Sequence, residues 1–258
     1  MLSLYNLRRN LGGLHPRRDV SNSRMWGLLQ NLRPIYAGWD LIRVGPDGDG
    51  GYLIPNDLEG VSGCISPGVS DMMEFELELA NDFGIPSFLF DGSIKEAPKK
   101  HDLIKFTSKF IGSELNSGFA SLRSVIQDLE QSEGDLILQM DIEGHELSAL
   151  SSLSKSDLVR FRTIVIEFHR IQDWKNISFF ELLVEPTLRV LLEHFDVVHI
   201  HPNNCDGVFY LGNKKIPRAI EVTFHNKLRR KIQPKFSVIP HELDKANTTE
   251  VPDLTLQF

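Results

Sequence analysis

The sequence predicts an α/β protein with a mainly parallel seven-stranded sheet, helices on both faces and an antiparallel hairpin at its C-terminal edge. Three observations predict it. Strand-like apolar runs alternate with segments of helical period through the middle of the chain. The central strands DLILQMD (135–141) and TIVIEF (163–168) are apolar almost throughout, as strands buried on both faces are. The last two strands are linked only by the turn-rich segment 212–217, too short for a parallel crossover.

The first strand is 61–66, closed by the turn signal Pro67-Gly68. Met72, Phe75, Leu79 and Phe83 follow at helical spacing, with Asp71 as the expected N-cap and Glu74 completing a capping box. Residues 86–91 read as a buried second strand and 103–111 as a half-exposed third. Phe119, Leu122, Val125, Ile126 and Leu129 form the next helical stripe. A short helix is expected near 145–153, between the fourth strand (135–141) and the fifth (163–168). A helical segment over 177–195 carries Pro186 as a kink or break and leads to strands at 196–200 and 207–211. In the last strand Ile220, Val222 and Phe224 alternate with Glu221, Thr223 and His225. Residues 1–39 read as a basic, partly helical extension, 40–225 as one α/β domain, and 226–258 as a partly ordered tail.

Composition narrows the function classes. With 258 residues, 41% apolar and 24% charged, disorder, collagen and coiled coil are excluded as whole-chain readings. Only Cys64 and Cys205 occur, which excludes a disulfide scaffold and fits a reducing, cytoplasmic compartment. No apolar run approaches the ~18–20 residues of a membrane span, and no apolar stretch precedes Arg8-Arg9, so neither a span nor a secretory leader is expected. The net charge of −7 divides into +5 over residues 1–33, −14 over 34–225 and +2 over the rest. So acidic a body repels phosphates, and no nucleic-acid partner is expected. The Arg-rich N-terminus has the composition of a transit peptide, but Gly12-Gly13 and Pro16 interrupt any amphipathic helix. It reads instead as a surface that contacts a partner or a second copy.

In an open α/β sheet, ligands bind beyond the carboxyl ends of the strands. The first strand delivers Ser66-Pro67-Gly68-Val69-Ser70-Asp71; the second delivers Asp91-Gly92-Ser93, with Asp91 23 residues after Gly68. That spacing places an acid for ribose hydroxyls. The intervening helix carries Asp71, Glu74, Glu76 and Glu78, and one glycine stands where a dinucleotide fingerprint needs three. These acids repel a diphosphate and suit a positive sulfonium, as in S-adenosylmethionine. Glu76 and Glu78 have a plainer reading as a solvated helix face. The fourth strand ends in Gln139-Met140-Asp141-Ile142-Glu143-Gly144-His145-Glu146, and the fifth in Glu167-Phe168-His169-Arg170. The sixth runs through His199-Ile200-His201, with both histidines on one face by alternation. Carboxylates and histidines therefore converge on one rim.

Arg43-Val44-Gly45 through Asp49-Gly50-Gly51-Tyr52-Leu53-Ile54-Pro55, then GVSDMMEFE, FDGS, MDIEGHE and IEFH in that order, resemble FkbM-type methyltransferases. These are class I adenosylmethionine-dependent enzymes with a Rossmann-like sheet, many of which O-methylate sugars or other hydroxyls. The resemblance covers about residues 40–225, and MDIEGHE is its most specific piece. It departs at Ser66-Pro67-Gly68, where the family has two or three glycines after a strand-ending acid. It implies a cofactor pocket around Gly68, Asp91 and Asp141, with Asp49, Gly51, Ser66, Pro67, Asp71, Gly92 and Ser93 as further contacts. The loop Asp47–Tyr52 is a hairpin turn that, in this light, also covers the cofactor's amino-acid end. The implied acceptor is a glycan or small-molecule hydroxyl, and the implied setting is polysaccharide modification.

Methyl transfer from a sulfonium is an in-line displacement, and a weakly acidic hydroxyl needs a base or a metal. His169 and His201 are the expected bases, as neutral imidazoles, with Asp141 and Glu143 beside them. Asp141 with Glu143 or Glu167 offers hard oxygen ligands for Mg2+. Two rival functions remain. A catalytically silent scaffold fits the eroded glycine motif, while a nucleotide-sugar or NAD-binding oxidoreductase is disfavoured by the acidic helix start. Trp26, Trp39 and Trp174 either stack on a sugar or pack internally.

Overall fold

The computed structural model describes residues 18–112, 117–129, 134–256 and 258. Seven strands make the main sheet: β1 (Val61–Pro67), β2 (Ser87–Phe90), β3 (Ile104–Thr107), β4 (Asp135–Met140), β5 (Phe161–Phe168), β6 (Phe195–Leu211) and β7 (Lys214–Asn226). Their spatial order is β6-β7-β5-β4-β1-β2-β3. β3, β2, β1, β4 and β5 pair in parallel, and β7 runs antiparallel to both neighbours. The chain leaves β3 at one edge and re-enters beside β1, so the switch point lies between β1 and β4.

The helices are α1 (Asn22–Gln30), α2 (Glu74–Phe83), α3 (Leu122–Asp128), α4 (Glu146–Leu150), α5 (Lys155–Leu158) and α6 (Glu185–His194). The described core falls into three clusters, a small one at Val69, Met73 and Leu89 and two larger ones divided by strand alternation. Ile65, Leu136, Leu138, Ile164 and Ile166 face a large cluster with α1, α3 and α4. Cys64, Ile137 and Val165 face a smaller one with Phe75 and Leu79 of α2 and with Tyr52 and Ile54. Each of those two α2 side chains contributes ~1.5–3 kcal/mol by leaving water.

Several local expectations need correction. The strands expected at 196–200 and 207–211 are one, β6; a register shift between Asn203 and Val208 absorbs the polar residues between them. The turn to β7 is only Gly212-Asn213. The expected third strand stops at Thr107, and Phe110–Ile111 pairs instead with Phe119–Ala120. Phe119 therefore lies outside α3, which starts after Ser121, whose Oγ accepts the Ser124 N–H. Asp71 is not an N-cap. A turn from Val69 to Met72 precedes α2, Met73 occupies the cap position, and no side chain caps it. The helix expected near 145–153 divides into α4 and α5. The helical segment is one contiguous run of Ile177–Phe179, a π-helical stretch at Phe180–Val184 and α6, and Pro186, which has no N–H to give, stands just after the break in regular α geometry.

The flanking segments pack on this sheet. Lys235–Phe236 pairs with Ile35–Tyr36, and Phe258 stacks on Trp26 with centroids 6.3 Å apart. Of the expected N-terminal extension, residues 1–17, with Arg8-Arg9, Gly12-Gly13 and Pro16, lie outside the described residues. No helix among the described residues is long and apolar enough to cross a membrane.

A buried charge network fixes the opposite end of the sheet. Asp57 accepts hydrogen bonds from Arg229, Arg162 and His225. Burial, reinforced by Arg229 and Arg162, pushes His225 down to about 4 against the pull of Asp57. An unfolded histidine titrates near ~6.5, so the unfolded chain takes up this proton first. That share of stability is complete above ~6.5 and falls as the pH drops toward 4. Thermal melting from pH 7 to 4 is expected to show the fall. His225→Gln, which keeps a donor for Asp57 but cannot titrate there, is expected to flatten it; an unchanged slope would refute the assignment.

Candidate active site at the strand ends

The ends of β1, β2 and β4 are stitched together. The Gly68 N–H donates to Phe90 O, and the Asp141 N–H to Pro67 O. Gly68 has φ +90, and a Cβ there would lie 1.6 Å from the Asp141 carbonyl oxygen. Only glycine allows this approach. The three described non-glycine residues with positive φ, Ser70, Glu143 and Arg170, follow β1, β4 and β5. Backbone strain thus gathers on the rim singled out by the sequence.

Below the rim, the buried Ser66 hydroxyl bonds both Glu76 Oε1 and Gln139 Oε1. One hydroxyl hydrogen cannot serve two acceptors, so a protonated Glu76 completes the network. Burial pushes Glu76 up to about 7, against the Ser66 bond. Glu78 accepts the Gly45 N–H. Neither acid belongs to a freely solvated face, and Ser66 spends its hydroxyl internally. Asp71 is exposed.

Asp91 is 7% exposed, and its carboxylate accepts from the Ser70 N–H, the Ser93 N–H and the Ser93 hydroxyl. The Phe110 ring lies directly over Gly92, where a Cβ would meet it at 2.4 Å. Phe110 pairs with Phe119 at 5.5 Å and stays half exposed. The Asp47–Tyr52 loop is folded on itself: Arg43 donates to Pro46 O and Gly48 O, and a Cβ on Gly51 would strike Pro46 O. Asp49 is exposed and meets Asn247.

His169 is the centre of the rim. Its Nδ1 lies 3.1 Å from both Glu146 Oε1 and Glu167 O. Both are acceptors, so Nδ1 carries the hydrogen and Nε2 of the neutral ring presents a lone pair. Nε2 stands 3.5 Å from Glu167 Oε1 and 3.7 Å from both Asp141 Oδ1 and Glu143 Oε2. The next strands continue the row, Glu167 facing Glu221 and Glu221 facing His201. Glu221 accepts from Asn247 and lies 3.6 Å from His201 Nδ1. Asn203 donates to Glu167 Oε1, and Asp244 holds His199 Nε2 at 2.7 Å. Four buried polar atoms on this rim lack a hydrogen-bond partner: Asp141 Oδ1, Glu167 Oε2, His201 Nε2 and Asn247 Oδ1.

The electrostatics correct one expectation. Burial works against charge on His169, but the Glu146 hydrogen bond and the carboxylates of Glu167 and Asp141 push it up to about 10. Burial likewise opposes charge on His201, and Glu221, Asp244 and Asp253 outweigh it and raise that group. His169 is therefore not neutral near pH 7 in this setting, and His201 holds its proton more tightly than an ordinary imidazole. Burial raises Asp141 to about 7 against the pull of His169, and lifts Glu167 well above the usual carboxylate range.

The structure therefore brings Asp141, Glu143, Glu167 and His169 together, with His201 one strand pairing beyond Glu221. Pro67, Gly68, Asp91, Gly92 and Ser93 border the same strand ends. His145 is exposed, and its ring Nδ1 lies 3.3 Å from Ile142 O. Trp174 packs on Phe168, Trp39 beside Arg229 and Lys231, and Trp26 under Lys214. Glu146 takes a double role, opening α4 and orienting His169. Phe110 and Asn247 carry no periodic signal; Glu221 was legible only through its alternation with Val222 and Ile220.

Fold and site together define an α/β protein with an acidic rim along the carboxyl ends of its parallel strands, reaching from the topological switch point toward β7 and β6. Residues 98–196 match the family described as "Methyltransferase FkbM domain", a span that includes MDIEGHE and IEFH. No curated protein matches the chain. A similar solved structure is described as "Putative riboflavin biosynthesis protein from Shewanella sp. PV-4". It is 15% identical, covering 71% of this chain and 84% of that one, at a TM-score of 0.26, too low to carry any argument.

Proposed function

We propose that this protein is an S-adenosylmethionine-dependent O-methyltransferase acting on a hydroxyl of a saccharide or related small molecule, built on a class I methyltransferase sheet. The observation that carries the proposal is the junction of β1, β2 and β4, where Gly68 packs on Asp141 between two strand-end acids. The strand order, with β7 inserted antiparallel between β5 and the edge strand β6, agrees with it.

The donor set fits this cofactor. Unpartnered Asp141 Oδ1 and the neighbouring acids suit positive charge and repel a diphosphate. Asp91 has lone-pair capacity left beyond its three donors for a ribose hydroxyl. The half-exposed Phe110 ring offers an apolar face for a purine. Adenosylmethionine supplies a methyl group on a sulfonium leaving group. With that group bound, the acceptor oxygen would take the methyl group, the C–S electron pair would stay on sulfur, and Nε2 of His169 or His201 would take the hydroxyl proton. The surrounding carboxylates favour the protonated form of both imidazoles, and positive charge entering the rim opposes it, so base availability follows cofactor binding.

Calorimetry with adenosylmethionine, its demethylated product and NAD tests this. Binding of the first two is expected, and Asp91→Ala is expected to weaken it at least ~10-fold, the loss of about one charged hydrogen bond. Absence of binding by both overturns the proposal; NAD binding alone favours the oxidoreductase. A panel of glycan and nucleotide-sugar acceptors, screened for the mass gain of one CH2, identifies the acceptor.

A further inference from the structure

Asp141, Glu167 and His169 each offer one ligand atom, and these atoms lie within 4.8 Å of one another. Ligands about 2.1 Å from one octahedral ion stand ~3.0 Å apart when adjacent and ~4.2 Å when opposite. The distances from His169 Nε2, 3.5 Å to Glu167 Oε1 and 3.7 Å to Asp141 Oδ1, are too long for hydrogen bonds and fall in that range; Oε1 keeps a lone pair beside the hydrogen bond it accepts from Asn203. Glu167 is 2% exposed, and its Oε2 has no partner; nor does the buried Oδ1 of Asp141. Leaving such oxygens unpaired is costly unless a ligand completes them.

The surroundings are arranged as a metal site needs. Glu146 and the Glu167 carbonyl take the Nδ1 hydrogen of His169, which fixes the tautomer and aims Nε2 at the two carboxylates. Asn203 holds the other oxygen of Glu167. Four carboxylates crowd one imidazole, an excess of negative charge that a divalent ion would balance.

We propose that Asp141, Glu167 and His169 bind one divalent cation, with His169 as a metal ligand and not as the base. An imidazole beside two carboxylates suits Mn2+ better than Mg2+, which keeps to oxygen ligands. The site stands on geometry alone; its role rests on the methyl-transfer reading. In that role the cation lowers the pKa of the acceptor hydroxyl, and the proton goes to His201, whose Nε2 is free.

The test is titration of the full-length, chelator-treated protein with Mn2+, followed by the loss of the free-ion paramagnetic resonance signal. One saturable site is expected, with Mg2+ competing at least ~10-fold more weakly. Glu167→Gln and Asp141→Asn should each weaken Mn2+ at least ~10-fold, while His201→Ala stays within about twofold. In chelator, Glu167→Gln is expected to melt no lower than the parent, since burial already opposes charge on this acid and a neutral amide fills the same space; that separates lost ligation from misfolding. Failure of the parent to bind Mn2+, or unchanged affinity in both carboxylate variants, overturns the assignment. Adenosylmethionine calorimetry on the same samples separates the two readings. Cofactor binding without Mn2+ sinks only the cation site, and Mn2+ binding without cofactor sinks only the methyltransferase.

Discussion

Gly68→Ala is expected to cost the protein ~3 kcal/mol or more and to abolish cofactor binding. The added Cβ would lie 1.6 Å from the Asp141 carbonyl oxygen and 3.1 Å from Ile142 Cγ2, at a φ of +90 that L-residues rarely adopt. No rotamer change relieves a clash with backbone. The strand ends must part, breaking the Gly68–Phe90 and Asp141–Pro67 hydrogen bonds and displacing Asp141 from its neighbours. Urea unfolding and calorimetry read both effects. A melting temperature within about 2 °C of the parent would show that the junction is not tight.

His201→Ala is expected to lower kcat by ~10²–10⁴, the usual contribution of a positioned base, while leaving adenosylmethionine affinity within about twofold. The groups facing this imidazole are Glu221 from β7 and Asp244 and Asp253 from the C-terminal segment, all of which favour its protonated form. The parent enzyme's kcat should therefore rise with pH through a value above ~6.5, as the base loses its proton. The variant should lose that limb. A pH profile identical in shape, or a matching loss of cofactor affinity, would remove His201 from proton transfer.

The strands that build the site were readable because their burial is written in composition. The centres of β4 and β5, Leu136–Leu138 and Ile164–Ile166, are continuously apolar, and the polar residues of the site gather toward their carboxyl ends, from Gln139 to Asp141 and from Glu167 to His169. Turn chemistry was harder to read. Asp71 has the right spacing for a cap, yet the Asp91 carboxylate takes the Ser70 N–H and a turn intervenes before α2. The polar stretch after His201 looked like a loop because residues 204–207 sit at the register shift between β6 and β7 and carry no side-chain alternation. Charge state was beyond local reading altogether. Nothing adjacent to His169 announces that Glu146 and Asp141 will close around it, and they raise its affinity for a proton. Asn247 reached the rim from a segment with no period.

That last contact bears on how the site comes into being. Asn247 bridges Glu221 and Asp49, and its link to Asp49 spans 198 residues of chain. Loop closure over such a distance is entropically expensive and is rewarded only when most of the sheet is already formed. In kinetic terms the rim is a high-contact-order feature: it assembles late, after the local pairings, and a chain with only part of its sheet in place holds no partial version of it.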